Sequence, residues 1–156
     1  MNDIVLIEAV LLNDPLMCAV QLMKDSWLHR GWTVGDISRI ISPPIKNNDA
    51  AFFFAGQDGV IAFATWGLFS EEVSGDLVAG RSPLEAGSWG SGSCLWVVDF
   101  VGTKGMVSKI VRLLKEHLRL KYPRHSEVFA IRQYRGKFSR RISHWGLNTE
   151  GCIASE

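Results

Sequence analysis

Cysteine is scarce in this chain, and the few cysteines form no recognisable pattern. Cys18, Cys94 and Cys152 are an odd number, with no C-x-x-C pair and no histidine at a spacing typical of a zinc site. The sequence therefore predicts neither a disulfide framework nor a metal centre, and it favours a reducing compartment.

Long hydrophobic runs are absent as well. Glu8 interrupts the apolar stretch from Ile4 to Leu12, and the N-terminus opens with Asp3 instead of a basic cluster. Neither a signal peptide nor a membrane span is expected, because both need an uninterrupted apolar segment. We expect a cytoplasmic protein.

Familiar catalytic and nucleic-acid motifs are also missing. The chain has no Gly-x-Ser-x-Gly segment, and Cys94, at the start of an apolar run, is interpreted as a small core residue. Chemistry through a covalent intermediate is therefore not favoured. The absence of a helix-turn-helix, zinc or aromatic RNA-binding motif makes nucleic acid an unlikely partner.

The 156 residues are 47% hydrophobic, enough for one domain spanning 1–156. The net charge of +1 is unevenly distributed. Residues 102–141 contain twelve Lys and Arg but only two Glu, so this segment has a net charge of +10. The rest of the chain contains five Lys and Arg and fourteen Asp and Glu, so its net charge is −9. The 102–141 segment is suited to an acidic partner, although solvated helix faces would give the same pattern.

The pattern of apolar residues predicts an α/β (α+β) fold, with a mixed central sheet flanked by helices. Helices are expected after Asp14-Pro15 and Thr33, the second ended or distorted by Pro43 and Pro44. A hairpin is expected at 50–66, a loop at 86–93, and a strand, glycine loop and amphipathic helix at 95–121. Further strands are expected at 127–132 and 142–147.

Two side chains are the main candidates for chemistry. Asp99 lies in an apolar strand, where an ionised carboxylate is costly unless it is paired, although it could also face solvent or cap an element. His29 lies just beyond a helix end between Trp27 and Trp32, a setting that could keep its imidazole neutral near pH 7. A lone histidine of this kind is more often structural.

The loop of Gly102, Thr103, Lys104 and Gly105 is a candidate binding element. Its glycines permit close approach of a ligand, and the following helix N-terminus offers free N–H groups to an anion or a pantetheine chain. An ordinary turn would have the same composition.

Several segments together resemble a known family. These are Ser26-x-Leu28-His29-Arg30-x-Trp32, Val60-x-Ala62 with Trp66, Trp89-x-Ser91-Gly92-x-x-x-Trp96-x-x-Asp99, Tyr122-Pro123, Ala130-Ile131-Arg132 and Gly136-Lys137. On these segments, which span roughly residues 15–140, the chain is similar to the hemolysin-type, RTX toxin-activating lysine acyltransferases.

The resemblance implies a divergent GNAT-like acyltransferase. Its donor would be acyl carrier protein, carrying the acyl group as a phosphopantetheine thioester, and its acceptor would be lysines of an RTX-type protoxin. The functional residues of the family fall on His29, Asp99 and Ser26. Relatives are often homodimers, and the apolar stretch 1–13 could contribute to such an interface. Trp27 departs from the family, which usually has proline there.

Two other functions remain open. A coenzyme A-dependent N-acyltransferase of a small amine or peptide would use the same glycine loop. A non-catalytic binding protein could keep the fold without the reaction.

Overall fold

The computed structural model describes residues 3–81, 84–133 and 140–147. Gly136, Lys137 and Cys152 lie outside this part of the chain. Within it, six strands form one sheet in the order β1-β2-β3-β4-β5-β6. The strands are β1 (Ile4–Glu8), β2 (Ala50–Ala55), β3 (Val60–Phe69), β4 (Cys94–Gly102), β5 (Glu127–Gln133) and β6 (Arg140–Gly146).

Most neighbouring strands are antiparallel, and β4 and β5 form a parallel pair. That parallel ladder is short, with register only at Trp96↔Phe129 and Val97↔Ala130. The sheet is therefore mixed, as expected, and the C-terminal parts of β4 and β5 separate from each other.

The helices are α1 (Pro15–Met23), α2 (Val34–Asp36), α3 (Ser42–Lys46), α4 (Glu71–Ala79) and α5 (Val107–Lys121). The Asp14 side chain accepts from the Met17 N–H and starts α1, and a capping box of Thr33 and Asp36 starts α2. Both starts were expected from the sequence. No helix in the described part of the chain combines the length and apolarity needed to cross a bilayer.

A π-helical turn, Ile37–Ile41, connects α2 to α3. Pro43 and Pro44 lack an N–H group, so regular helical bonding cannot continue through them, and the wider turn absorbs the mismatch. The prolines distort this helical segment without ending it, since α3 continues to Lys46.

The sheet has apolar layers on both sides. Helix α5 packs Ile110, Leu114 and Leu118 onto one face, against residues that include Trp66 and Val97. The other face packs against α1 and the α2–α3 segment, and its cluster includes Ala19, Met23, Ile41, Phe52 and Phe63.

Two elements were not predicted. The segment Ile4–Glu8 pairs with β2 as edge strand β1, and its five residues are too few to show a clear period. Helix α4 contains Gly75 and mostly small or polar residues, so its helical period is weak. Its Ser70 cap and its Gly80 end in the left-handed conformation are the sequence signals that could have identified it.

The loop before β4 is fixed by close packing. Ser91 Oγ accepts from the Ser70 N–H at 3.0 Å and donates to the Ser88 carbonyl at 2.6 Å. A Cβ atom added to Gly92 would lie 2.5 Å from the Cα of Ser70. Ser91 and Gly92 therefore hold the loop against the end of β3.

This packing predicts that Gly92→Ala destabilises the protein by about 1–3 kcal/mol, because the backbone of Ser70 must move. Gly87→Ala is the matched control, since a Cβ there meets nothing within 4 Å, and it should change stability by less than about 0.5 kcal/mol. Urea denaturation measures both. Equal stability of the two variants would contradict the packing described here.

Candidate active site

His29 lies in a tight turn that connects α1 to α2. The N–H groups of His29 and Arg30 donate to the Ser26 carbonyl, and the Trp32 N–H donates to the His29 carbonyl. The His29 ring lies 4.6 Å from the Trp32 ring, measured between centroids. Backbone bonds and ring packing together fix the direction of the imidazole.

Asp99 lies on β4 at a β-bulge. In the β3–β4 ladder Thr65 pairs with Asp99 and Trp66 pairs with Val97, so Val98 is the extra residue. A bulge re-aims the side chains next to it. The Oδ1 atom of Asp99 accepts from the Phe100 N–H at 2.9 Å, which helps to fix the carboxylate.

The two side chains meet although they are 70 positions apart in the chain. His29 Nε2 lies 2.8 Å from both carboxylate oxygens of Asp99, and the residues are only 4% and 6% exposed. On the other side of the ring, Nδ1 lies 2.7 Å from Ser26 Oγ. The structure thus brings together the three residues expected from the resemblance, in the order Ser26, His29, Asp99.

The contacts of the ring determine its neutral tautomer. An ionised carboxylate can only accept, so Nε2 carries the proton and donates to Asp99. Nδ1 then accepts from the Ser26 hydroxyl. Both ring nitrogens are engaged, and Ser26 is the group through which the imidazole can exchange a proton with a ligand.

A cavity of about 810 Å³ opens where β4 and β5 separate, and Ser26, His29 and Asp99 all line it. Most of its other lining residues are apolar; they include Trp27, Trp32, Leu77, Val98, Val111 and Ile131. Such a cavity suits a long apolar ligand with a polar group at one point. The sequence could not indicate this lining, because it comes from seven separate segments of the chain.

Two arginines also line the cavity. Arg132 on β5 is exposed, and Arg81 after α4 pairs with Asp76 at 3.1 Å. Among the described residues that line the cavity, Arg81 and Arg132 are the arginines that bring positive charge to it.

The predicted glycine loop lies beside the cavity. Phe100 and Val107, on either side of the loop, line the cavity, whereas none of the described residues Gly102, Thr103, Lys104 and Gly105 does so. The Thr103 hydroxyl donates to the Ile61 carbonyl at 3.0 Å, which ties the loop to β3. Its role in donor binding stays a prediction.

Trp27 occupies the position after Ser26 in the turn, where proline is favoured because the turn does not use that N–H. A tryptophan therefore fits without changing the backbone bonds. Trp27 is 42% exposed and lines the cavity, so it provides an aromatic surface beside Ser26.

Three other motif residues, Trp66, Trp89 and Tyr122, do not line the cavity and instead connect elements of the fold. Trp66 Nε1 donates to the Tyr122 hydroxyl at 3.0 Å, and this hydroxyl donates to Asp49 at 2.9 Å. Burial, with the nearby Asp49 carboxylate, raises the pKa of Tyr122, so the phenol remains a donor. Trp89 Nε1 donates to the Arg39 carbonyl at 3.0 Å and joins the loop before β4 to the π-helical turn.

Comparison with known proteins agrees with this geometry. Residues 15–146 match the model of the RTX toxin acyltransferase family. The chain belongs to this family. The resemblance noted from the sequence is thereby confirmed.

Two relatives show the degree of similarity. The RTX-II toxin-activating lysine-acyltransferase ApxIIC of Actinobacillus pleuropneumoniae is 28% identical over 117 residues, 74% of this chain and 69% of the relative. The lysine-acyltransferase RtxC of Vibrio cholerae is 24% identical over 99 residues, 64% of this chain and 65% of the relative. The chain therefore spans about two thirds of the length of these RTX toxin acyltransferase relatives.

A solved structure supports the fold. The loading GNATL domain of CurA from Lyngbya majuscula superposes with a TM-score of 0.53 at 10% identity, covering 86% of this chain and 66% of that one. The GNAT-like fold expected for an RTX toxin acyltransferase is thus confirmed.

Proposed function

We propose that this protein transfers a fatty acyl chain from acyl carrier protein to the ε-amino group of lysines in a target protein of the RTX-toxin type. The observation that carries the proposal is the row of Ser26, His29 and Asp99 on the wall of a large apolar cavity. Family membership supports the reaction class, and the names of the relatives supply the type of target.

The acceptor must lose a proton before it can react. A lysine amine has a pKa of about 10.4 in water and is mostly protonated at neutral pH. Ser26 Oγ accepts a proton from the bound lysine while its own proton passes to His29 Nδ1. Asp99 stabilises the resulting imidazolium through Nε2, which a carboxylate in a shielded site does well.

The transfer itself is a direct attack on the thioester. The neutral amine nitrogen forms a bond to the acyl carbonyl carbon, and the bond from that carbon to the pantetheine sulfur breaks. The nitrogen gives up two protons in all, one before the attack and one as the amide forms. One proton returns from His29 through Ser26 to the thiolate, and the other passes to water. The products are an acylated lysine and the free thiol of the carrier, and His29 is neutral again.

The apolar cavity accounts for the acyl chain. Each methylene group moved from water into such a site contributes about 0.8 kcal/mol. We assign the chain to the space between the separated ends of β4 and β5, with the thioester near Ser26. The glycine loop 102–105 is then adjacent to the pantetheine.

Charge makes an acidic carrier protein a suitable donor. Lys109 and Arg112 are exposed on α5, and Val107 and Val111 of the same turns line the cavity. Acyl carrier protein is acidic, so this face of α5 suits it as a docking surface. Coenzyme A remains the alternative donor.

The proton path predicts that His29→Ala lowers the rate of acyl transfer by on the order of 10²–10⁴-fold, since it removes the base. Asp99→Ala and Ser26→Ala should each lower it by at least about tenfold, because one loses the charge partner and the other the relay. His144→Ala is the matched control, since its exposed imidazole pairs with Glu127 at 2.6 Å.

The measurement is single-turnover transfer from acyl-loaded carrier to a lysine-bearing toxin fragment, with circular dichroism to verify folding. Folded His29→Ala at the wild-type rate would refute the proposed function. An acyl adduct on Ser26, seen by intact mass with donor alone, would contradict direct transfer.

The docking surface predicts that Lys109→Glu, alone and with Arg112→Glu, raises KM for the acyl carrier, by about tenfold for the pair. The rise should shrink at high salt because exposed charges are screened. Lys46→Glu, also exposed but on α3, is the matched control. If acyl-coenzyme A is used as efficiently as acyl carrier and neither variant changes KM, the carrier is not the donor.

A further inference from the structure

Thr65 on β3 has an unusual environment. It is 0% exposed, and its Oγ1 has no hydrogen-bond partner within the described residues. A buried hydroxyl without a partner is unfavourable, whereas valine has nearly the same shape and would avoid the penalty. Packing alone therefore gives no reason for the hydroxyl.

The location of Thr65 suggests the missing partner. Thr65 is the direct cross-strand neighbour of Asp99, and the β3–β4 ladder shifts register immediately after this pair. Residues directly opposite each other in an antiparallel ladder share one face, with Cβ atoms about 4.5–5.5 Å apart. The two buried side chains thus lie side by side on one face of the sheet.

The carboxylate can accept another hydrogen bond. Oδ1 accepts from His29 and from the Phe100 N–H, whereas Oδ2 accepts from His29 alone among the described residues. An ionised carboxylate has about four acceptor positions. Oδ2 is therefore the less saturated oxygen.

We propose that Thr65 is a positioning residue whose hydroxyl donates to Asp99 Oδ2 when substrate fills the cavity, which holds the carboxylate against His29. Bonds of this kind are often long without substrate and tighten in the reacting complex. The need is greatest when His29 has taken the proton, because the imidazolium and Asp99 must then stay aligned. This inference depends on the proposed function of His29 and Asp99.

A purely structural role makes the opposite prediction. If Thr65 only fills space, Thr65→Val keeps the packing and removes an unpaired hydroxyl, so stability rises and the reaction is unaffected. Thr65→Ser keeps the hydroxyl but loses a buried methyl group, so it should be less stable. The two variants therefore separate the hydroxyl from the packing.

The experiment measures kcat, KM for both substrates and the thermal midpoint of Thr65→Val and Thr65→Ser. We expect Thr65→Val to lower kcat by about ten- to a hundredfold with little change in KM, as for loss of a bond to a charged group. Its thermal midpoint should equal or exceed that of the wild type. Thr65→Ser should recover most of kcat despite a lower midpoint.

Activity that follows the hydroxyl supports the inference. The inference is overturned if Thr65→Val is as fast as the wild type. It is also overturned if Thr65→Ser is as slow as Thr65→Val. If Thr65→Val does not fold, Thr65→Ala replaces it in the comparison with Thr65→Ser.

The two proposals can fail separately. If Thr65→Val is fully active and His29→Ala is inactive, only the role of Thr65 is overturned. Full activity of His29→Ala overturns the proposed function and, with it, the reason for holding Asp99.

Discussion

The contact between the His29 imidazole and the Asp99 carboxylate determines how the rest of this site is built. Asp99 is only 6% exposed, and a buried carboxylate is costly unless its oxygens are bonded. Here the Nε2–H of His29 and a backbone N–H supply the bonds. The contact requires two precise backbone features. One is the tight turn that begins at Ser26, and the other is the β-bulge at Val98.

The same contact leaves Ser26 as the link to the cavity. Because Nε2 faces Asp99, Nδ1 is the nitrogen that can take a proton, and Ser26 is bonded to it at 2.7 Å. A base that works through a hydroxyl can remain shielded from water while still serving a ligand. Shielding strengthens the interaction of the imidazolium with Asp99, since fewer water dipoles screen it.

Much of this could be predicted from the sequence, for identifiable reasons. Asp99 is recognisable because a charge in an apolar strand needs a partner, and His29 is recognisable because aromatic residues flank it. Helix α5 has a strong helical period, and the β2–β3 hairpin consists of two apolar runs joined by a clear turn. The meeting of residues 70 positions apart was implied by the family resemblance, whereas local pattern carries no such information.

What could not be predicted depends on tertiary structure. The cavity exists because β4 and β5 pair at two positions and then separate, and no property of either strand alone indicates this. The bulge at Val98 and the environment of Thr65 follow from register, which is a property of two strands together. Trp66, Tyr122, Trp89 and Gly92 were recognisable as motif residues, but only their contacts show which elements of the fold they join.

The most direct test of the central claim is a double-mutant cycle of His29→Ala and Asp99→Ala in single-turnover acyl transfer. If the two side chains act as one unit, the double variant is no slower than His29→Ala alone, because Asp99 has nothing left to stabilise. If the losses of the single variants multiply in the double variant, the two residues act independently and the account is wrong.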